Sequence, residues 1–149
     1  MNIIGRLEEH TYVFYENERK IYSIDVLSQK GLIRFQLKNQ LNYDIYEIFQ
    51  LANWKDRFLK KKFDFAIYEG DEKIAEFITL KDGFEIEIHG ITKHIQITTK
   101  EGNPCVVIQH HHEDEVVYLF QNDISIQLKH HNDHALHICF AYILKQYFI

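Results

Sequence analysis

Two stretches of the chain carry residue types whose spacing could do chemistry. The first is Trp54-Lys55-Asp56-Arg57-Phe58-Leu59-Lys60-Lys61-Lys62, which places five cations in nine positions of a chain with a formal charge of −5. Clustered cations attract phosphate groups and anionic lipid at about 1 kcal/mol each near a charged surface, and a neighbouring Trp suits the headgroup level. Trp54, Lys55, Arg57, Lys60, Lys61 and Lys62 are therefore the candidate residues for a phospholipid headgroup or an anionic membrane surface. The same composition also serves simply to keep a loop solvated, with Trp54 and Phe58 packed inward.

The second stretch is rich in histidine. His130, His131, Asp133, His134 and His137 crowd together, and His134 and His137 lie three apart. Imidazoles one helical turn apart, with a carboxylate beside them, can hold Zn²⁺ or another transition metal. His130, Asp133, His134 and His137 thus form an alternative, metal-binding set, either as a metal-binding protein or as a metal-dependent enzyme. Against this, Asn132 or Asp133 reads equally well as a helix N-cap, which leaves His130 in a loop. The spacing also differs from the zincin pattern of two histidines flanking Glu-x-x. A further cluster, His110-His111-His112-Glu113-Asp114-Glu115, contains the His-x-His of a cupin metal site, but Gly102 lies too far upstream and Glu115 comes too early. It reads as a polar turn.

Other chemistry has less to work with. Ser23, Ser28 and Ser125 lie in no nucleophile elbow, and Cys105 follows Pro104 without an activating signature. The six glycines are scattered and form no phosphate cradle. Cys139 sits in an apolar run as a small core residue. The acidic total disfavours a duplex nucleic-acid partner. No cofactor is expected, and a non-enzymatic binding domain is the expected function.

The elements that must position these residues are mostly strands. Eleven Phe, nine Tyr and a single Pro favour pleated, half-buried surfaces. Apolar residues recur at period two in Ile33/Phe35/Leu37, Phe63/Phe65/Ile67, Phe84/Ile86/Ile88 and Ile124/Ile126/Leu128. Such alternation marks strands with one wet face. Ile91, Lys93, Ile95 and Ile97 obey the rule less cleanly. Turn signals at Glu69-Gly70-Asp71, Lys81-Asp82-Gly83, Gln121-Asn122-Asp123 and the longer Glu101-Gly102-Asn103-Pro104 divide the chain into roughly eleven strands. Residues 42–62 read as strand, loop, strand. No Pro/Gly/Ser-rich linker interrupts residues 1–149, which implies one domain.

The C-terminal segment breaks the pattern. From Ala135 to Ile149 apolar residues occupy every side of a helical wheel, interrupted only by His137, Lys145 and Gln146. A helix that is apolar all round is enclosed by protein or lipid, and about 15 residues are too few to span a bilayer. A closed sheet is the natural container for a helix at about 133–147. With the lumen filled in this way, no space is expected for a small-molecule guest. Met1 to His10 holds no stretch suited to a signal peptide, so the expected location is cytoplasmic, with peripheral membrane contact.

Many strands leading to an enclosed apolar helix resembles the tubby C-terminal-like superfamily, which includes phospholipid scramblases, LURP-one-related proteins and small bacterial relatives. The residues Leu59-Lys60-Lys61-Lys62-Phe63-Asp64-Phe65-Ala66-Ile67-Tyr68-Glu69-Gly70-Asp71-Glu72-Lys73-Ile74-Ala75 look like its basic-strand-turn-strand segment. Asn132-Asp133-His134-Ala135-Leu136-His137-Ile138 looks like its final segment, an Asp before the buried helix. The resemblance implies a closed antiparallel barrel of about twelve strands around a central helix, and a link to phosphoinositides. The membrane-spanning and cysteine-rich segments expected of a scramblase are missing from this sequence, which argues against scrambling.

Overall fold

The structure, a computed structural model, describes residues 1–27, 33–51, 64–80, 83–129 and 132–149. Within these the chain runs through β1 (Asn2–Glu8), β2 (Thr11–Glu16), β3 (Arg19–Val26), β4 (Arg34–Asn39), β5 (Asp44–Leu51), β6 (Asp64–Glu69) and β7 (Glu72–Leu80). It continues through β8 (Gly83–Ile88), β9 (Ile91–Ile95), β10 (Thr98–Lys100), β11 (Asn103–His110), β12 (Glu113–Phe120) and β13 (Ile124–Leu128), and ends in the helix α1 (His134–Tyr147). The strands form one antiparallel sheet in the order β10-β11-β12-β13-β1-β2-β3-β4-β5-β6-β7-β8-β9. Period-two alternation accounts for them: Phe84 and Ile86 of β8 are buried while Glu85 and Glu87 face outward. β5 is a strand, as expected, with Tyr46 and Ile48 facing the core and Ile45, Glu47 and Phe49 on the other face. The expected loop and basic run over 52–63 lie outside the described residues. Among the described residues no helix is long and apolar enough to cross a membrane.

α1 sets the shape of the sheet. Ten consecutive residues, Ala135 to Leu144, are buried, so apolar side chains leave the helix in all directions and each needs a wall. Asp133 is the N-cap, its Oδ1 accepting from the Leu136 N–H at 3.0 Å, while the Tyr46 hydroxyl donates to Oδ2 at 2.7 Å. Tyr142 meets Tyr12 of β2 edge-on at 5.4 Å and Phe35 of β4 at 5.0 Å between ring centroids. Phe140 faces Phe77 of β7 at 6.2 Å. His137 is bonded to Tyr118 of β12. In sheet order β12 and β7 are eight steps apart, about 38 Å in a flat sheet. One helix touches both only because the sheet curls round it.

The sheet is nevertheless not closed, which corrects the closed barrel of about twelve strands expected from the sequence. Among the described residues thirteen strands pair, and the order ends at two free edges, β9 and β10. These edges are consecutive in the chain, joined only by Gln96 and Ile97. Three Cα steps cannot exceed about 11 Å, so the two edges are held side by side at this end. No ladder closes the ring, because the chain leaves β8 after Ile95 and pairs with β11 only over Thr98 to Lys100. Lys93 on the inner face of β9 is a feature that blunts an edge against further pairing. Pro104 also differs from expectation. The turn is the two-residue Glu101-Gly102, and Asn103 and Pro104 already belong to β11, paired with Lys100 and Thr99.

One glycine is fixed by close approach. Gly5 lies opposite Phe14 in the β1–β2 ladder, and a Cβ there would clash with the Phe14 ring. Phe14 is fully buried and has nowhere to retreat. Gly5→Ala is expected to destabilise the fold by about 1–3 kcal/mol through overpacking, measured by urea unfolding with an unchanged m-value.

Candidate functional site

The gap between the two edges leads inward to a cleft. From Val106 to His110, β11 is laddered to β12 on one side only, and β9 is laddered only to β8. Lys93, His94 and Ile95 therefore face Val107, Ile108 and Gln109 across an open seam. Behind the seam lies a cleft of about 230 Å³. Ile86 and Ile88 of β8, Ile91 of β9 and Ile108 of β11 give it apolar walls. Its polar groups come from four other places: His89 in the β8–β9 turn, Lys93 on β9, Glu115 on β12, and Asn132 and His137 at the start of α1. The helix does not fill the whole interior, so the expectation that it leaves no space for a guest is corrected.

Each polar group owes its position to a strand or to the helix cap. Lys93 pairs with Ile86 and shares the inner face of β9 with Ile95, which is buried. Glu115 is almost fully buried, at 8% exposure. Its Oε2 accepts from the Asn132 side chain at 3.3 Å, and its Oε1 lies 3.5 Å from the Lys129 ammonium. Lys129 also reaches Glu113 at 2.8 Å. Glu115 is thus a tethered carboxylate at the cleft wall, sharing the Lys129 ammonium with Glu113.

His137 is the most constrained of the set. Its Nδ1 lies 2.6 Å from the hydroxyl of Tyr118, and both side chains are buried. Burial pushes the Tyr118 phenol well above its ordinary pKa, so the O–H is present and must find an acceptor. His137 Nδ1 is the acceptor it has. An Nδ1–H would leave a fully buried hydroxyl proton unsatisfied, which costs about 1–3 kcal/mol. The phenol therefore donates to Nδ1, and the imidazole carries its proton on Nε2. Among the described residues Nε2 makes no hydrogen bond, and it is not sealed from the cleft.

The structure distributes the residues expected to act from the sequence among different environments. Trp54, Lys55, Arg57, Lys60, Lys61 and Lys62 lie outside the described residues, as does His130. Asp133 is occupied as the cap, and His137 is bonded to Tyr118. His134 packs against Tyr22, at 5.9 Å between ring centroids, and its Nδ1 is buried without a hydrogen bond. Among the described residues no three His, Cys, Asp or Glu side chains converge as metal ligands. His111 and His112 form the β11–β12 turn, with φ of 51° and 66°, the left-handed pair a tight hairpin requires. Lys93, Glu115 and Tyr118 carry no motif that marks them as site residues in the sequence. A faint signal does exist for Lys93, the one charge interrupting the period-two run Ile91/Ile95/Ile97.

The burial of His137 has a pH consequence. Burial lowers its pKa from 6.5 to about 4, with Asp133 opposing and Lys93 adding to the shift. Below pH 6.5 the unfolded chain takes up a proton that the folded chain refuses. Stability is therefore expected to fall as pH drops from about 6.5 to 4, by on the order of 3 kcal/mol. Melting temperatures across this window should show a shallower slope for His137→Gln than for the parent, and equal slopes would refute the assignment. Comparison with protein-family models, with curated proteins and with solved structures gave no match to this chain.

Proposed function

We propose that this chain is a non-enzymatic binding domain whose ligand is a small molecule with an apolar body, taken up by the cleft at the open seam. The observation that carries the reading is the cleft itself: apolar walls with a few convergent polar groups, beside an otherwise filled core. Small-molecule sites have this composition and often lie at the mouths of curled sheets. Its volume of about 230 Å³ exceeds the roughly 150 Å³ of an engineered apolar cavity that accepts benzene. Heptan-1-ol titrated into ¹⁵N-labelled protein should give saturable shifts concentrated in β8, β9, β11 and the first turn of α1. Shifts that never saturate, or that scatter over the surface, would remove this reading.

A second reading rests on the charge contrast at Trp54 to Lys62 and is supported by the resemblance to the tubby C-terminal-like superfamily, whose tubby domains bind phosphoinositides. In it, Lys55, Arg57, Lys60, Lys61 and Lys62 hold an anionic phospholipid surface. Liposome sedimentation tests it directly. Binding should require phosphoinositide or phosphatidylserine, weaken with salt, and be lost when Lys60, Lys61 and Lys62 are changed to Glu. Binding unaffected by those changes would end it.

A further inference from the structure

Resting on the cleft reading, we infer that the ligand is a monoanion, a carboxylate on a short apolar body, whose head is received by the Lys93 ammonium and the His137 Nε2–H.

Lys93 and His137 each bring an unsatisfied donor to the cleft. Lys93 is half-buried on the inner face of β9, among Ile86, Ile91 and Ile95. Among the described residues no carboxylate lies within ion-pair distance of it, and unlike Arg19, Lys20 and Lys100, which also lack one, it is half-buried rather than exposed. An ammonium drawn partly out of water without a partner is unfavourable in the empty protein. An arriving anion removes that penalty. His137 supplies the second donor, because the Tyr118 hydroxyl occupies Nδ1 and leaves the proton on Nε2. Both donors line the same cleft.

The charge of the head is set by the neighbours. Glu115 also lines the cleft, but its carboxylate is held by Lys129 and Asn132 and has a further interaction besides. An amine would have to displace these contacts and would face Lys93 as well. A dianion such as a phosphate ester would meet one unpaired cation with Glu115 nearby, leaving its second charge uncompensated. A single negative charge fits the balance best. A planar carboxylate can accept from Lys93 Nζ and His137 Nε2 with separate oxygens, and charge-assisted bonds of this kind are about twice as strong as neutral ones. The apolar body then lies against Ile86, Ile88 and Ile108.

An inward charge on an edge strand also discourages pairing with another chain, so a test must separate recognition from edge protection. Heptanoate, heptan-1-ol and heptylamine share one apolar body and differ only in the head. Their dissociation constants would be measured by NMR titration at pH 7 on the parent chain and on Lys93→Met and Lys93→Arg. Heptanoate is expected to bind at least about tenfold tighter than the alcohol. Lys93→Met should abolish that advantage and leave alcohol affinity unchanged, and Lys93→Arg should retain most of it. A preference for heptylamine, or a carboxylate preference that survives Lys93→Met, would overturn the inference and leave the cleft reading standing. Failure of all three ligands on the folded parent chain would overturn both.

Discussion

The rest of the structure depends on one requirement, the burial of α1 on every side. An amphipathic helix can rest on an open sheet, but α1 offers no polar face to turn toward water. Its ten consecutive buried residues must be met from all directions, and only a sheet that bends back on itself can supply walls that distant from one another. Tyr12, Phe35, Phe77 and Tyr118 come from four strands spread over most of the sheet order, and all meet α1. The Tyr46–Asp133 bond fixes where the helix starts, and the Tyr118–His137 bond fixes its rotation. Both are polar contacts in apolar surroundings, where a misplaced helix would leave donors unsatisfied. Dispersion and area burial hold α1 inside, while these two bonds select one position among many.

Curling brings the two edges together without joining them. β9 and β10 are one stretch of chain that changes partner, from β8 to β11, across Gln96 and Ile97. The change leaves the Ile91–Ile95 part of one edge and the Val106–His110 part of the other facing each other without a ladder. A single longer strand with both partners would have closed the barrel and sealed its interior. The inward Lys93 counts against that closure, since a charge there would be enclosed with no counterion. The seam, the cleft behind it and the cation that lines it thus share one cause, which is the partner switch between Ile95 and Thr98.

Much of this is legible in the sequence because the relevant signals are local. Phe84/Ile86/Ile88 against Glu85/Glu87 fixes a half-buried strand by period alone. Ala135 to Leu144 fixes an enclosed helix by the lack of any polar face, and Asp133 marks its start. Closure is not legible, because it depends on which distant strands pair, and β9 and β11 carry no local mark of being unpaired on one side. Pro104 reads as part of a turn because the residue is usually found there. It is tolerated in β11 because it stands before the first β12 pair, Cys105 with Leu119. The cleft is the least legible feature. Its residues come from β8, β9, β11, β12 and α1, and each is ordinary alone: isoleucines in strands, a lysine, a glutamate in an acidic run.

The histidines show most clearly why residue type alone misdirects. Ten of them in one chain invite a metal, yet the described ones are put to different uses by their surroundings. His111 and His112 make a tight turn, His134 packs on Tyr22, and His137 is a buried neutral acceptor for a phenol. What makes His137 chemically interesting is the proton that Tyr118 forces onto its Nε2, beside a cleft whose apolar walls are four isoleucines. An imidazole held in one tautomer and kept neutral by burial is a directional donor of fixed charge. It differs from the Lys93 ammonium, which supplies charge with little direction. A fixed donor beside a charge is an arrangement that an open, solvated patch of lysines does not provide.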